Sequence, residues 1–209
     1  MSRNDLILIG AGGHSRSCID TIEQEGKYRI VGLVGLKEEV SLNHFGYEII
    51  GSDLDLEKLS KSITHALITI GQINTAELRI HLYEQALNLG FKLPSIIAPS
   101  AYVSRHAIIG AGTIVMPSAI INSGVKIGEN CIINSRALIE HDSQISDHCH
   151  ISTGAILNGN TSVGIGSFIG SGTIVKEGIS VGAKSLVGMG LTLRHNLNRE
   201  SIFLGDSLQ

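Results

Sequence analysis

Residues 119–142 read AIINSG VKIGEN CIINSR ALIEHD, four consecutive six-residue units with an aliphatic residue at the third place of each. The pattern extends in both directions, and sixteen such units fill residues 101–196 without a gap, from Val103 to Leu193 at the third place. The first place holds Ala, Ser, Thr or Cys in thirteen of the sixteen units. Strands of a sandwich would instead alternate with period two between irregular turns, so the strict period of six argues against that fold class.

A strict period of six is typical of a parallel β-helix in which three short strands make one coil of eighteen residues. The aliphatic side chain of each unit points to the axis and stacks on its counterpart one coil later, while the small first residue fits at the corner. The array makes about five coils, which at ~4.8 Å per coil gives a length of roughly 25 Å. Such a narrow core takes aliphatic side chains, and corners that need unusual φ values favour some of the 25 glycines.

The first hundred residues have a different composition, with 21 charged residues against 11 in residues 101–196. Alternating strand and helix patterns predict an α/β, Rossmann-like domain with a parallel sheet over residues 1–98, followed by the β-helix over residues 99–209. Its predicted strands are residues 5–9, 29–34, 66–71 and 92–97, and its predicted helices are residues 15–24 and 74–88, with Asn74 as the N-cap and Gly90 as the stop.

Global properties exclude several partners and compartments. A net charge of −3, a pI near 6.3 and the absence of basic runs argue against nucleic acid and anionic lipid. The apolar run Leu6–Ile9 is too short for a signal peptide or a membrane span. Three cysteines without a CxxC motif argue against a disulfide framework. We therefore predict a cytoplasmic protein.

A glycine-rich loop, GAGGHS at residues 10–15, lies between the first predicted strand and helix. Such a loop can bring backbone N–H groups and a helix N-terminus to a phosphate, but it is also found as a tight turn without a ligand. A dinucleotide site would need an acid near the end of the second strand. That strand ends in Gly35 and Leu36, so we exclude NAD and FAD.

Two histidine clusters could carry chemistry. His141 lies between Glu140 and Asp142, and a histidine beside carboxylates can be oriented and made more basic, as a general base requires. His148 and His150 would share one side of a strand, but the pattern supplies no third ligand, so we predict no metal site. A row of solvated histidines without a function is the alternative.

Four motifs together resemble one protein family. They are residues 10–14 (GAGGH), Ile70-Gly71, residues 138–141 (LIEH) and residues 151–154 (ISTG). With the hexapeptide array they are similar to bacterial sugar acetyltransferases of the left-handed β-helix class, which act on sialic acids or on nucleotide-linked amino sugars. The resemblance spans most of residues 5–196. It implies an acetyl-CoA-dependent transferase, without a metal, that acts on a sugar or nucleotide-sugar substrate.

The resemblance implies a role for several residues of the array. His141 corresponds to the general base of the family, and Asp142 to the acid that raises its basicity. The backbone amide of Gly159 corresponds to the donor that stabilises the oxyanion. His150 corresponds to a histidine that contacts the acetyl thioester.

The resemblance also implies binding sites and an assembly. Gly12, Gly13, His14 and Gly71 correspond to positions that hold the sugar nucleotide. Coenzyme A would lie along the later coils, near Ser171, Gly172 and Met189. The family forms homotrimers in which the active site lies between neighbouring β-helices.

The chain departs from the family in two segments. Gly35 and Leu36 stand where many members have a nucleotide-binding Asp, and residues 205–208 (GDSL) replace a G-x-P-A-[KR] segment near coenzyme A. His150 favours N-acetylation of an amino sugar, which is our leading prediction. Asn134-Ser135-Arg136 and Leu157-Asn158-Gly159 are closer to the sialic acid branch, so O-acetylation is the alternative, and a non-catalytic scaffold is a third interpretation.

Overall fold

The structure is a computed structural model that describes residues 3–205. The divergent C-terminal segment lies outside the described residues from Asp206 onward. The predicted fold class, an α/β domain followed by a left-handed parallel β-helix, is confirmed. No helix among residues 3–205 has the length and apolar character that a membrane crossing would need.

A five-stranded sheet forms the N-terminal domain, with the order β3-β4-β2-β1-β5. Its strands are β1 (Asn4–Ile9), β2 (Tyr28–Gly35), β3 (Asn43–His44), β4 (Tyr47–Ser52) and β5 (His65–Ile68), and its helices are α1 (Gly13–Glu25), α2 (Leu56–Ser60) and α3 (Glu77–Asn88). All pairs are parallel except β3 with β4. The short hairpin between β3 and β4 and helix α2 were missed because polar segments of this length have no clear periodicity.

Several predicted boundaries in this domain are wrong. The third predicted strand ends at Ile68 and not at Gly71, because the following residues leave the sheet toward the β-helix. Helix α3 begins at Glu77 with Ala76 as its N-cap, so Asn74 does not cap it. Of the predicted strand 92–97, only Ile96–Ile97 forms a strand, β6, and it pairs with the β-helix.

The β-helix has three faces, each a stack of two-residue strands. The first face contains β7 (Tyr102–Val103), β10 (Ile120–Ile121), β13 (Leu138–Ile139), β16 (Ile156–Leu157), β19 (Ile174–Val175) and β22 (Thr192–Leu193). The second contains β8 (Ile108–Ile109), β11 (Lys126–Ile127), β14 (Gln144–Ile145), β17 (Ser162–Val163) and β20 (Ser180–Val181). The third contains β6, β9 (Ile114–Val115), β12 (Ile132–Ile133), β15 (His150–Ile151), β18 (Phe168–Ile169), β21 (Leu186–Val187) and β23 (Ile202–Phe203).

Strands pair with the strand eighteen residues later, as Ile121 does with Ile139 and Ile139 with Leu157, except that β21 pairs with β23 sixteen residues later. The third-place side chains form one buried core along the axis. Small polar residues suit the first place of a unit for a second reason besides their size. At Thr113 and Ser143, for example, the side-chain hydroxyl donates to a carbonyl fifteen residues later and accepts an N–H eighteen residues later.

Glycine serves the corners in two different ways. The sixth place of most units has positive φ, and it is filled by glycines and by non-glycine residues such as Asp142 and His148 alike. At the fourth place, close approach between coils matters more: a Cβ at Gly170 would lie 2.4 Å from the carbonyl carbon of Gly188. The expectation that unusual φ values explain the corner glycines is therefore only partly correct.

The N-terminal domain rests on the third face. Cys18, Ile19 and Ile22 of α1 share one buried cluster with Ile114 and Ile132, whose second-place side chains point outward from the β-helix. Later coils of the same face extend beyond α1 and carry His150, Phe168 and Leu186 at the corresponding places. Docking of the domain therefore covers the early coils and leaves a groove along the later ones.

Candidate active site

His141 lies at the corner that follows β13, between the first and second faces. Its Nδ1–H donates to Oδ2 of Asp142 at 2.9 Å, and the two side chains are 62% and 69% exposed. Asp142 has φ near 61°, and its backbone N–H donates to the Ser123 carbonyl. The pair is therefore held at an open corner with Nε2 of the imidazole free.

Two glycines make room for this pair. A Cβ at Gly159 would lie 2.7 Å from Nε2 of His141, and a Cβ at Gly124 would lie 2.5 Å from Oδ1 of Asp142. Within residues 3–205 the Gly159 N–H has no hydrogen-bond acceptor. Sequence reasoning named Gly159 but missed Gly124, although the repeat places Gly124 one coil before Asp142.

Glu140 does not join the pair, contrary to the idea that both flanking acids support His141. Its Oε2 accepts the Asn122 side-chain N–H at 2.9 Å instead. It lines an open cavity of about 530 Å³ together with His141, Gly159 and Glu177. The histidine thus faces a cavity with two additional carboxylates.

His150 has very different surroundings on the third face. It is 7% exposed, and its Nδ1–H donates to the Gln72 carbonyl of the N-terminal domain at 2.6 Å. Burial, with a smaller contribution from the Arg79 charge, lowers the pKa of His150 to about 4 against the opposing effect of the Gln72 carbonyl. The imidazole is therefore neutral, and its Nε2 lone pair accepts the Asn134 side-chain N–H at 3.3 Å.

A largely apolar groove of about 580 Å³ runs past His150 along the later coils. Ser171 and Met189, two of the residues predicted to bind coenzyme A, line it, and Ser171 shares a 2.8 Å hydrogen bond with Ser152. Gly172 follows Ser171 at an open corner with φ near 67°. Ile202 and Leu204 of the last described coil also line the groove, which sequence reasoning missed.

The glycine-rich loop lies at the N-terminus of α1. Gly12 is the N-cap and Gly13 the first helical residue, and a Cβ at either would meet no other atom within 4 Å. The next residue, His14, packs beside Gly71. Burial, then the charges of Arg79 and His150, lower the pKa of His14 to about 3, and its Nε2 is buried without a partner among residues 3–205.

The structure therefore brings the predicted residues together in two groups. His141, Asp142 and Gly159 form one, whereas His14, Gly71 and His150 form the other beside the groove. The two cavities share no lining residue, and they open on different faces. We call these two separate groups of residues the half-sites.

Among residues 3–205, neither a cluster of metal-ligating side chains nor an exposed thiol lies at these half-sites. Within residues 3–205, no group of three or more His, Cys, Asp or Glu side chains is arranged to hold a metal ion. Cys149, near His150 in sequence, is a buried first-place residue whose Sγ donates to the Gly164 carbonyl. Burial, then its contacts with Cys131, raise the pKa of Cys149 well above its usual value, which makes it a poor nucleophile.

Comparisons with known proteins agree with this architecture. The family model described as the PglD N-terminal domain matches residues 5–86, and the model for six repeats of the bacterial transferase hexapeptide matches residues 106–141. A comparison of the sequence with curated proteins finds no match.

Similar solved structures cover nearly the whole chain. A mutant of perosamine N-acetyltransferase from Caulobacter crescentus, in complex with CoA and GDP-perosamine, is 30% identical and has a TM-score of 0.91, with 98% of this chain and 95% of that chain covered. The acetyltransferase domain of PglB from Neisseria gonorrhoeae, in complex with acetyl coenzyme A, is 33% identical with a TM-score of 0.86, and 94% of each chain is covered.

Proposed function

The chain belongs to the hexapeptide-repeat sugar acetyltransferases, and from this premise we propose that it transfers the acetyl group of acetyl-CoA to the amine of a nucleotide-linked amino sugar. The observation that carries the proposal is the similarity, along 98% of the chain, to a perosamine N-acetyltransferase that holds CoA and GDP-perosamine. The two half-sites supply the groups that such a reaction needs, in the following way.

His141 is the proposed general base. Its Nδ1–H is committed to Asp142, so Nε2 is free to take the proton that the attacking amine loses as it adds to the thioester carbonyl. Direct transfer in a ternary complex needs a base and close positioning but no covalent intermediate, which agrees with the buried state of the cysteines. Collapse of the tetrahedral intermediate then releases coenzyme A as its thiolate.

Gly159 is the proposed oxyanion donor. Its N–H is unused by the described residues, and the close approach of the His141 ring supports a place beside the reacting atoms. A backbone N–H aimed at the developing oxyanion contributes roughly 3 kcal/mol in comparable sites.

The charge of the His141 cavity favours an amine over a hydroxyl as the acceptor. Glu140 and Glu177 line this cavity beside His141, and both carboxylates attract the ammonium form of the acceptor, which loses one proton to solvent before the neutral amine attacks. A neutral hydroxyl acceptor would gain no such charge attraction. N-acetylation is therefore the better-supported reaction, ahead of O-acetylation.

The groove on the third face is the proposed site of acetyl-CoA. Its apolar walls suit the pantetheine arm, and neutral His150 lies beside Ser171 and Met189 where it would contact the thioester. Gly12, Gly13, His14 and Gly71, at the α1 N-terminus, are the proposed contacts of the sugar nucleotide, because free N–H groups at a helix N-terminus attract phosphate.

A homotrimer would join the two half-sites. The outward side chains of the first face form an apolar column as far as Ile174, with the polar Thr192 beyond it, whereas those of the second face are polar beyond the first coil. The column is Tyr102, Ile120, Leu138, Ile156 and Ile174, and the polar residues are Lys126, Gln144, Ser162 and Ser180. His141 directly follows the column, so a second copy of the chain packed on the first face would bring its groove to His141.

The decisive test is a substrate panel with thiol release as the readout. UDP-, GDP- and dTDP-linked amino sugars, their hydroxyl counterparts and free sialic acids would be offered with acetyl-CoA at pH 7.5. The proposal predicts turnover with at least one amino sugar and none with its hydroxyl counterpart. Turnover of sialic acid alone would establish O-acetylation, and failure to bind acetyl-CoA would favour the scaffold interpretation.

The free, buried cysteines suit the cytoplasmic location that we propose.

A further inference from the structure

Arg79 of α3 is an unusual residue at the junction of the two domains. It is 1% exposed, yet none of the ion pairs within residues 3–205 involves its guanidinium. Burial of a charge without a counter-charge lowers the stability of the fold, so we expect Arg79 to have a role that offsets this cost. Burial lowers the pKa of Arg79 to about 10, which leaves it charged at neutral pH.

Three carbonyl oxygens from both domains receive the guanidinium. Its Nη1–H donates to Ile68 at 2.9 Å and to Ile70 at 2.8 Å, and its Nε–H donates to Asn130 of the β-helix at 3.1 Å. Asn130 returns a hydrogen bond from its side-chain N–H to the Arg79 carbonyl. Arg79 therefore joins the end of β5 to a corner of the β-helix, at the root of the segment 69–72.

That segment holds the buried histidine of the groove. The Gln72 carbonyl accepts the Nδ1–H of His150, and the Gln72 side chain donates to the His148 carbonyl at 2.9 Å. Gly71, immediately before it, packs beside His14. The charged and titratable groups that act on His14 are Arg79 and His150, and the one that acts on His150 is Arg79.

We propose that Arg79 is a positioning residue for acetyl transfer: it fixes the 69–72 segment so that His150 keeps its Nδ1–H on the Gln72 carbonyl and its ring at the wall of the thioester groove. Arg79 touches neither substrate, because it is buried beneath both sites. The role rests on the proposed function for the identity of the ligands, although the state of the histidines does not depend on it.

The first test is nitrogen-15 NMR of the histidines in the unmodified protein, which needs no substrate. The proposal predicts that His150 is protonated at Nδ1 and not at Nε2 at pH 7, and that it stays neutral until the pH approaches 4. Protonation at Nε2 instead would overturn the proposal, even if the protein proves to be an acetyltransferase.

Two variants separate the charge from the geometry. Arg79→Lys keeps the positive charge but cannot reach three carbonyls at once, and Arg79→Met removes both. In Arg79→Met the 69–72 segment loses its anchor, and the KM for acetyl-CoA rises on the order of tenfold with a smaller change in kcat. The pKa values of His14 and His150 rise only in part, because burial is the larger cause of both shifts. In Arg79→Lys the titrations stay low and the KM is intermediate.

Leu82→Ala is the matched control, since Leu82 is a buried residue of the same helix whose apolar side chain makes no hydrogen bond to the 69–72 segment. It tests for a loss of stability alone, and we expect its KM and its histidine titrations to match those of the unmodified protein. If Arg79→Met folds and shows the same KM and the same titrations as Leu82→Ala, Arg79 is only a structural residue. If acetyl-CoA binds no form of the protein, the proposed function fails while the NMR test still decides the state of the histidines.

Discussion

The two histidine half-sites differ in what builds them. His141 lies at an open corner, 62% exposed, and its neighbours Asp142, Gly159 and Gly124 all belong to the β-helix. His150 is 7% exposed, and the group that orients it, the Gln72 carbonyl, belongs to the N-terminal domain. The repeat alone builds the first half-site, whereas the second exists only because the two domains dock.

This difference assigns different tasks to the two histidines. An exposed imidazole with one nitrogen on a carboxylate can exchange protons with a substrate and with water, as a base must. A buried imidazole whose pKa is lowered to about 4 carries no charge at neutral pH and is a weak proton acceptor, so it suits binding and orientation better than proton transfer. The predictions below test this division of labour.

The largest effect is expected at His141. His141→Ala removes the proposed base, and turnover should fall by about 10²–10⁴-fold with the KM for acetyl-CoA little changed. Thiol release under saturating substrate measures it. His106→Ala is the control, since His106 is another exposed histidine of the β-helix, remote from both cavities. A loss smaller than about tenfold would mean that His141 is not the base.

A smaller effect is expected at Gly159. A methyl group there would lie 2.7 Å from Nε2 of His141 and would push the imidazole away, so Gly159→Ala should lower kcat by roughly 10–100-fold while the melting temperature stays unchanged. Gly170→Ala is the contrasting variant, because its Cβ would meet the backbone of the next coil at 2.4 Å and should lower stability. Equal kcat values for Gly159→Ala and the unmodified protein would remove Gly159 from the site.

The smallest effect concerns the buried histidine and pH. The pKa of His150 lies near 4 in the folded chain and near 6.5 when unfolded, so the unfolded chain binds more protons between these values. The stability that His150 contributes is present above pH 6.5 and is lost as the pH falls toward 4, by about 3 kcal/mol at most. Urea unfolding of the unmodified protein and of His150→Gln at several pH values measures it. A pH dependence that is the same in both would show that His150 is not buried as described.

The difference between a half-site built by the repeat and one built by domain docking also explains what could be predicted from the sequence. Every third-place residue of the repeat points to the core as expected, and His141, Asp142 and Gly159 meet because positions eighteen residues apart stack. Gly124 could have been found by the same rule. The repeat therefore predicts both the fold of residues 101–196 and the half-site that lies within it.

The other half-site could not be predicted in this way. Arg79 and Gln72 lie in a helix and a loop whose contacts depend on how the N-terminal domain packs on the third face, and no period relates them to His150. The predicted boundaries near them were also wrong, since α3 begins three residues after Asn74. Docking between domains is a tertiary property, and local pattern carries no information on it.

The central claim is that the two half-sites act together, across neighbouring copies of the chain. His141→Ala and His150→Ala would be co-expressed with different affinity tags, and mixed oligomers would be purified on both tags and assayed for thiol release at acetyl-CoA well below the KM of His150→Ala. Each parent variant is expected to be impaired, by loss of turnover in the first and by a higher KM for acetyl-CoA in the second. If each site takes His141 from one copy and His150 from its neighbour, every mixed trimer has one intact site of three and should regain about a third of the unmodified activity. Mixed oligomers no more active than the average of the two parents would contradict the shared site.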